Sequence, residues 1–280
     1  MTDVLPSVIE EAVARALAED LGPLGDITAA LLDPDELGRA SFVPRRPGVI
    51  AGTACATEAF RQVDSSVVVQ WSVVDGDRVA AGDVVGTVEG PLAPILTAER
   101  TALNFLCHLS GIATLTRRFV DAAAEAPGSR ARVWDTRKTL PGLRALEKAA
   151  VRAGGGVNHR GSLSEMVLVK DNHLGRLGIT EAVRRARERW PGRSVEVECE
   201  RLEQVIEAVD SGADLVMLDN MAPEDVAKCV AVVEGRAVVE ISGGITIETV
   251  ARYASTGADL ISTSAITQSA PAFDIGLDLD

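Results

Sequence analysis

The chain has 280 residues and a net charge of −13, from 28 Lys and Arg against 41 Asp and Glu. A hydrophobic fraction of 46% supplies core material for one large domain or two modest ones. So acidic a chain does not hold a nucleic-acid backbone by bulk charge, and 3% aromatic residues leave too few rings for base stacking. An anionic ligand therefore requires the few cations to be gathered in one place.

The first segment reads as a helix. Ser7 and Glu10 have the spacing of a capping box, Val8, Val13, Leu17 and Leu21 form an apolar stripe, and Gly22, Pro23 and Gly25 end it. Its early acids and broken apolar pattern argue against a secretory signal. No stretch elsewhere reaches the roughly 18 uncharged apolar residues of a membrane span. From about Ala40 to Leu96, short alternations broken by turns (VVVQWSVV, DGD, AAGDVVGTVEG) predict antiparallel strands. A long helix is predicted from Thr97 to about Ala126, with Glu99 and Arg100 in its first turn.

After Pro127 short β-branched runs alternate with helical patterns. The strands are ARVWDT, EMVLVK, SVEVECE, DLVMLD, AVVEIS and ADLIST; the helices include ITEAVRRARERW, RLEQVIEAVDSG, APEDVAKCVAVVEG and TIETVARYASTG. This alternation predicts βαβ units and a parallel sheet. Six strands, fewer than the eight of a full barrel, end in Asp135, Lys170, Glu198, Asp219, Glu240 and Ser262. In an α/β barrel those ends form the active face; an open doubly wound sheet is the competing topology. Cys55, Cys107, Cys199 and Cys229 are scattered without a C-x-x-C pair, a pattern of reduced cytosolic thiols.

Three constellations carry chemistry. Between Arg130 and Lys170, nine cations face three acids, a surplus of six that leaves the remainder at −19. Arg144, Lys148 and Arg152 read as a solvated helix face. Arg137, Lys138 and Lys170 follow strands, and His159 and Arg160 follow the flexible Gly154–Gly156 run, so these read as an anion grip. In Ser194–Glu200 a period of two puts Glu196, Glu198 and Glu200 on one face, either for cations or a metal or as an exposed edge strand. Asp219 and Glu240, ending the next two strands, are candidates to orient a divalent metal on a phosphorylated ligand or to stabilise positive charge. Third, Ser242, Gly243 and Gly244 between a strand and the predicted helix TIETVARYA form a phosphate-cradle pattern, repeated weakly in Ser262–Ala265. Of the histidines, His108 reads as packed or capping, His173 as ligand-facing or a turn residue, and His159 as the functional candidate.

Read together, several stretches resemble the quinolinate phosphoribosyltransferase family, the carboxylating nicotinate-nucleotide pyrophosphorylases. They are EDLGPLGDIT, ERTALNFLCHLSGIAT, DTRKTLPGLRALEKAAVRAGGGVNHRGSL, KDNH, VEVE, MLDN and SGGI. The resemblance implies an N-terminal α/β sandwich domain over 1–110, joined by residues 268–280, and an incomplete, open α/β barrel over 111–267. It implies cytoplasmic de novo NAD synthesis, in which quinolinate and 5-phosphoribosyl 1-pyrophosphate react with Mg²⁺ to give nicotinate mononucleotide, pyrophosphate and CO₂. It implies a homodimer with shared sites, to which the partner lends an arginine matching Arg100, and it leaves higher assembly open. By the same resemblance Arg100, Thr136, Arg137, His159, Arg160 and Lys170 hold the quinolinate, and Lys138 also reaches phosphate. Glu198 and Asp219 stabilise the sugar cation and orient Mg²⁺ through the substrate, and Ser242, Gly243, Gly244 and Ser264 take the 5-phosphate. Lys138, Glu198 and Asp219 are the implied catalytic set.

The chain departs from the family in one turn. At TSAITQS (263–269) Ser264 stands where the family has glycine, and Gln268 where it has a basic residue. A paralogue of the molybdenum-transport-associated type is the nearest rival, opposed by the intact TRK and NHR motifs. VDGDRVAAGDVVGTVEG has the rhythm of a biotinyl or lipoyl carrier, but no lysine lies between Gln70 and Arg100 to carry an arm. A Schiff-base aldolase using Lys170 explains Arg137 and Arg160 less well than a dicarboxylate site.

Overall fold

The computed structural model describes residues 4–280. Its strands are β1 (Leu37–Pro44), β2 (Gly48–Val49), β3 (Val68–Trp71), β4 (Arg78–Val79), β5 (Gly86–Pro91), β6 (Arg132–Trp134), β7 (Val167–Val169), β8 (Val195–Cys199), β9 (Leu215–Asp219), β10 (Val238–Ser242), β11 (Leu260–Ser262) and β12 (Ile275–Leu279). The chain forms two compact units. The first holds residues up to Arg117, with Thr139–Gly155 and Ile266–Asp280; the second holds Arg118–Lys138 and Gly156–Ala265.

In the first unit an antiparallel sheet has the order β12-β1-β5-β3, and β2 pairs separately with β4. The predicted strands between Ala40 and Leu96 are interrupted by a helix at Thr53–Val63, which the sequence reading missed. Its apolar positions Cys55, Ala56, Ala59 and Phe60 recur at helical spacing and are buried. Phe42 of β1 stacks on Trp71 with centroids 4.6 Å apart and meets Phe60 edge-on at 6.1 Å. Burying such a ring contributes about 1.5–3 kcal/mol. The carrier-like DGD turn has a structural use. Asp75 accepts the Gly52 amide at 2.9 Å and the Thr53 amide and hydroxyl at 3.2 and 2.7 Å, tying down the start of that helix.

Two helix starts differ from expectation. Pro6 occupies the first turn and Leu5 is the N-cap, without a side-chain cap, so Ser7 lies inside the helix Pro6–Leu21 and no capping box forms. The long helix runs Leu92–Ala124, beginning a turn early, so Glu99 and Arg100 lie beyond its first turn. Lys148, predicted to be solvated, is buried within the helix Arg144–Ala153, whereas Arg144 and Arg152 are half-buried. His108 does pack: its Nε2 lies 2.9 Å from the buried Glu147 carboxylate, which also accepts the Leu140 amide.

The second unit is a parallel sheet ordered β6-β11-β10-β9-β8-β7. From β7 to β11 each strand lies beside its predecessor, and β6 then follows β11. That is the cyclic order of a barrel with a gap between β6 and β7, without the order reversal of a doubly wound sheet. Val157 bridges to Trp134 along the outer edge of β6. Val195, Val197 and Cys199 and the Leu215–Leu218 run are buried. At the strand beginnings, Asp214 accepts the Val195 amide at 2.7 Å and Asp259 accepts the Val239 amide at 2.9 Å, pinning the face opposite the active one. No described helix is long and apolar enough to cross a membrane.

Gly111, inside the long helix, lets the returning segment pass. A Cβ there would overlap the Pro271 carbonyl, and Phe273 donates its amide to the Cys107 carbonyl at 2.8 Å beside it. Replacing Gly111 by Ala is expected to cost about 1–3 kcal/mol net, because overpacking against backbone outweighs the gain in helix propensity. Urea denaturation with an unchanged or raised midpoint would contradict this.

Candidate active site

The site is built at the C-terminal ends of the parallel strands of the second unit. The period of two in β8 holds, but the expectation of three equivalent carboxylates does not. Glu196 is buried, Glu198 is mostly buried, and Glu200 lies past the strand in solvent. Nor is β8 an edge, since it pairs with β7 and β9. Glu198 forms an ion pair with Lys170 Nζ at the end of β7. The Lys170 amide donates to His173 Nδ1 at 3.0 Å, which makes exposed His173 the turn residue rather than the ligand-facing one. A lysine engaged with a carboxylate suits an anion clamp better than an amine nucleophile.

Asp135 organises the basic half. It ends β6 fully buried, accepting the Asn158 side-chain amide at 2.6 Å and the His159 backbone amide at 2.8 Å. Val157 runs parallel to β6, donating to Val133 and accepting from Asp135. Asp135 thus fastens the post-glycine loop to the strand that carries Thr136, Arg137 and Lys138. The His159 ring lies against Trp134, centroids 4.5 Å apart. Arg160 Nη1 donates to the Met166 carbonyl at 2.9 Å. Its guanidinium is pushed below its ordinary pKa by burial first and then by the charge of Arg137 nearby, with Glu196 and Glu165 opposing. A partly buried guanidinium under a second positive charge is favoured by a nearby anion. The Lys138 amide donates to Thr136 Oγ1 at 3.0 Å, shaping the turn that presents its exposed side chain. Asn158 and Trp134 were not picked out from sequence, and Asp135 was placed at a strand end of the active face without a role of its own.

The third side is a set of turns. Asp219 ends β9 and accepts the Asn220 side-chain amide at 2.7 Å. Asn220 adopts a positive φ of 54° and donates its backbone amide to the Ser242 carbonyl at 2.9 Å. Gly243 and Gly244 have φ of 91° and 64°, and a Cβ on Gly243 would overlap the Asn220 side-chain oxygen. The turn does not open the expected helix directly. The Thr246–Thr249 turn intervenes, and the helix is only Val250–Ala254. Ser264 is half-buried, and it is not among the described non-glycine residues with positive φ, so its backbone does not require the family's glycine. Gln268 ends the short helix Ala265–Gln268 in solvent. Arg100 lies exposed on the long helix of the first unit, 3.8 Å from Glu99.

Glu240 does not face Asp219 as a metal-orienting partner. It is fully buried with Glu196 and His159, whose ligand-type atoms all lie within 4.8 Å of one another. Glu198 and Asp219 remain at adjacent strand ends, partly accessible, each a hard oxygen donor. They suit a Mg²⁺ ion that keeps waters and phosphate oxygens in its shell.

A parallel barrel with a cation grip on one side and a glycine turn on the other is the architecture of an enzyme for small, highly charged anions. Residues 26–110 match the N-terminal domain, and residues 112–278 the C-terminal domain, of quinolinate phosphoribosyl transferase. The chain is 43% identical over 276 residues to the carboxylating nicotinate-nucleotide pyrophosphorylase of Mycobacterium leprae, covering 96% of each chain. It is 39% identical to the probable enzyme of that name from Bacillus subtilis, covering 93% of this chain and 90% of that one. The structure of the nicotinate-nucleotide pyrophosphorylase from Francisella tularensis superposes with a TM-score of 0.95 at 37% identity, over 100% of this chain and 98% of that one. The chain belongs to the quinolinate phosphoribosyl transferase family.

Gly243→Ala combines a left-handed φ with a clash against Asn220, a local strain of about 1–3 kcal/mol. It is expected to lower kcat/KM at least about tenfold. Steady-state kinetics showing parent efficiency would remove this turn from the working site.

Proposed function

We propose that the protein transfers phosphoribosyl from 5-phosphoribosyl 1-pyrophosphate to quinolinate with loss of CO₂, yielding nicotinate mononucleotide and pyrophosphate for NAD synthesis. The observation that carries the reading is the gathering of cations on the loops and strand ends of one parallel sheet: Arg137 after β6, Arg160 on the loop that Asp135 ties to β6, and Lys170 at the end of β7 paired with Glu198. Quinolinate is a small planar dianion, and a planar guanidinium fork matches a carboxylate. In this reading Arg137, Arg160 and Lys170 grip the two carboxylates, with Thr136 in the same turn.

The pyridine nitrogen then attacks the anomeric carbon as the bond to pyrophosphate breaks, and the leaving oxygen takes the electron pair. Positive charge grows on the sugar, and the carboxylates of Glu198 and Asp219, at neighbouring strand ends, are placed to stabilise it and to hold ribose hydroxyls. Engagement of Lys170 by quinolinate frees Glu198 for that task. Lys138, exposed on the β6 turn, meets phosphate oxygens. Ser242, Gly243, Gly244 and Ser264 take the 5-phosphate through backbone amides and hydroxyls. Bound Mg²⁺ would neutralise the pyrophosphate as it leaves, oriented by Glu198 and Asp219 through water and substrate oxygens. The quaternised ring is its own electron sink: the adjacent carboxylate departs as CO₂, and the ring carbon takes a proton.

The reading includes a homodimer in which Arg100 of a second copy completes the grip, since Arg100 is exposed and lies 3.8 Å from Glu99, a loose contact that leaves it available. It also includes a cytoplasmic location, in keeping with four free cysteines, of which buried Cys55 and Cys199 are pushed up to about 12 by desolvation.

Pyrophosphate and CO₂ should be released one for one, dependent on quinolinate and Mg²⁺; turnover of nicotinate in its place would sink the assignment. Arg160→Ala should raise the quinolinate KM about 10- to 100-fold, the loss of a charged hydrogen-bonding pair of about 1.5–3 kcal/mol. Mixed Arg100→Ala and Lys138→Ala subunits should recover part of the activity each lacks alone. Hybrid dimers with no recovery would rule out a borrowed arginine.

A further inference from the structure

His159 and the two carboxylates beneath it form a cluster that the reaction as described leaves unused. Glu196 of β8 and Glu240 of β10 are both fully buried, and His159 is nearly so. His159 Nε2 lies 3.2 Å from Glu196 Oε2 and 3.7 Å from Glu240 Oε2. These are polar contacts rather than well-directed hydrogen bonds, for all four carboxylate oxygens are buried without a hydrogen-bond partner in good geometry; the Ser262 hydroxyl and the charge of Lys170 are the groups that favour an ionised Glu240. Two adjacent buried anions so placed are untenable; a proton or a metal ion must lie among them.

The far side of the imidazole decides between the two. The Arg160 backbone amide donates to His159 Nδ1 at 2.7 Å. Nδ1 therefore presents a lone pair, and the ring proton sits on Nε2, facing the carboxylates. A histidine that ligates a metal through Nε2 has the opposite tautomer, with Nδ1–H donating outward. The imidazole thus faces the carboxylates with an N–H rather than with a metal-ligating lone pair. Burial, then the charge of Glu196, pushes the Glu240 carboxyl well above the usual carboxylate range.

We propose that Glu196 and Glu240 are positioning residues: the Nε2 edge of His159 faces both carboxylates, nearest Glu196 at 3.2 Å, and this polar contact holds the imidazole as the acceptor for the Arg160 amide. With Nε2 facing the carboxylates and Nδ1 accepting the Arg160 amide, His159 has no N–H to offer quinolinate. It acts through Arg160, whose backbone it fixes while Asp135 fixes its own. Trp134 holds the ring plane. The barrel interior thereby sets the direction of a guanidinium at its mouth. This rests on the reading that Arg160 grips the acid substrate.

Histidine-selective ¹⁵N NMR of the unmodified protein, with His159→Gln for assignment, tests the tautomer directly. The expected signal is Nε2–H; an Nδ1–H tautomer overturns the proposal, and so does a tightly held metal ion, one per chain, that Glu240→Gln abolishes. Kinetics tests the polarity. Glu196→Gln, which puts an amide where a carboxylate faces Nε2, should raise the quinolinate KM at least about tenfold while leaving the KM for phosphoribosyl pyrophosphate within about twofold. Glu240→Ala should do the same, and Glu240→Gln, which keeps a neutral donor, should bring the quinolinate KM back to within about threefold. A fall in melting temperature with both KM values unmoved would reduce the pair to a structural role and overturn the proposal. If the unmodified protein fails to use quinolinate at all, the proposed reaction fails, while the tautomer measurement still decides the cluster.

Discussion

The site depends on holding Arg137 and Arg160 in the charged form at partly buried positions inside an acidic protein. Burial first, and then the charge of Arg137, pushes the Arg160 guanidinium below its ordinary pKa. Such a pair holds only where the backbone leaves no alternative. Asp135 supplies that constraint by accepting from Asn158 and His159 while its own amide is bound by Val157. The strand end carrying Arg137 and the loop carrying Arg160 are joined through one buried carboxylate. Glu196 lies beneath, its charge opposing the repulsion. The protein's net charge of −13 therefore misstates its chemistry, because acid in the interior stabilises cation at the mouth.

The βαβ grammar was legible because buried parallel strands read as short apolar runs and their helices as 3.6-residue stripes. DLVMLD and AVVEIS contain β9 and β10 with one residue to spare. The helix Thr53–Val63 escaped notice because TACATEAFRQV is short, Ala-rich and embedded among strands. Its stripe is made of small residues, and Asp75, which ties down its start, lies in a distant turn. The capping-box reading failed because Pro6 fixes where the helix begins, and a spacing rule does not register that.

Within the site, residue types and strand ends were visible, but depth was not. A period of two puts Glu196 and Glu198 on one face, yet nothing in VEVE says that one is sealed in the interior and the other paired with Lys170. That difference comes from the stagger of neighbouring strands, where Glu196 is level with Leu168 and Leu215. His159 was found from its loop, whereas the surroundings of its ring depend on Glu196, far along the chain and 3.2 Å from Nε2, and on the amide of the next residue, which donates to Nδ1. Charge counting finds a site; it does not divide the site into groups that touch a ligand and groups that aim them.

The turns after β9, β10 and β11 are held by a different logic. The Asn220 amide ties the turn after β9 to the Ser242 carbonyl, and Thr263 Oγ1 ties the turn after β11 to the Ile245 carbonyl at 3.2 Å. Three successive turns are thus linked through hydrogen bonds, with Gly243 leaving room for the Asn220 side chain. Serine at 264 does not disturb this set, since its backbone needs no positive φ, and it adds a hydroxyl donor. The family glycine at that position is therefore replaceable on backbone grounds, whereas Gly243 is not. Displacement at a sugar carbon is accelerated when both reactants are held with little freedom left to lose. Here one end is fixed by linked turns and the other by a buried carboxylate clamp, both anchored in the same parallel sheet.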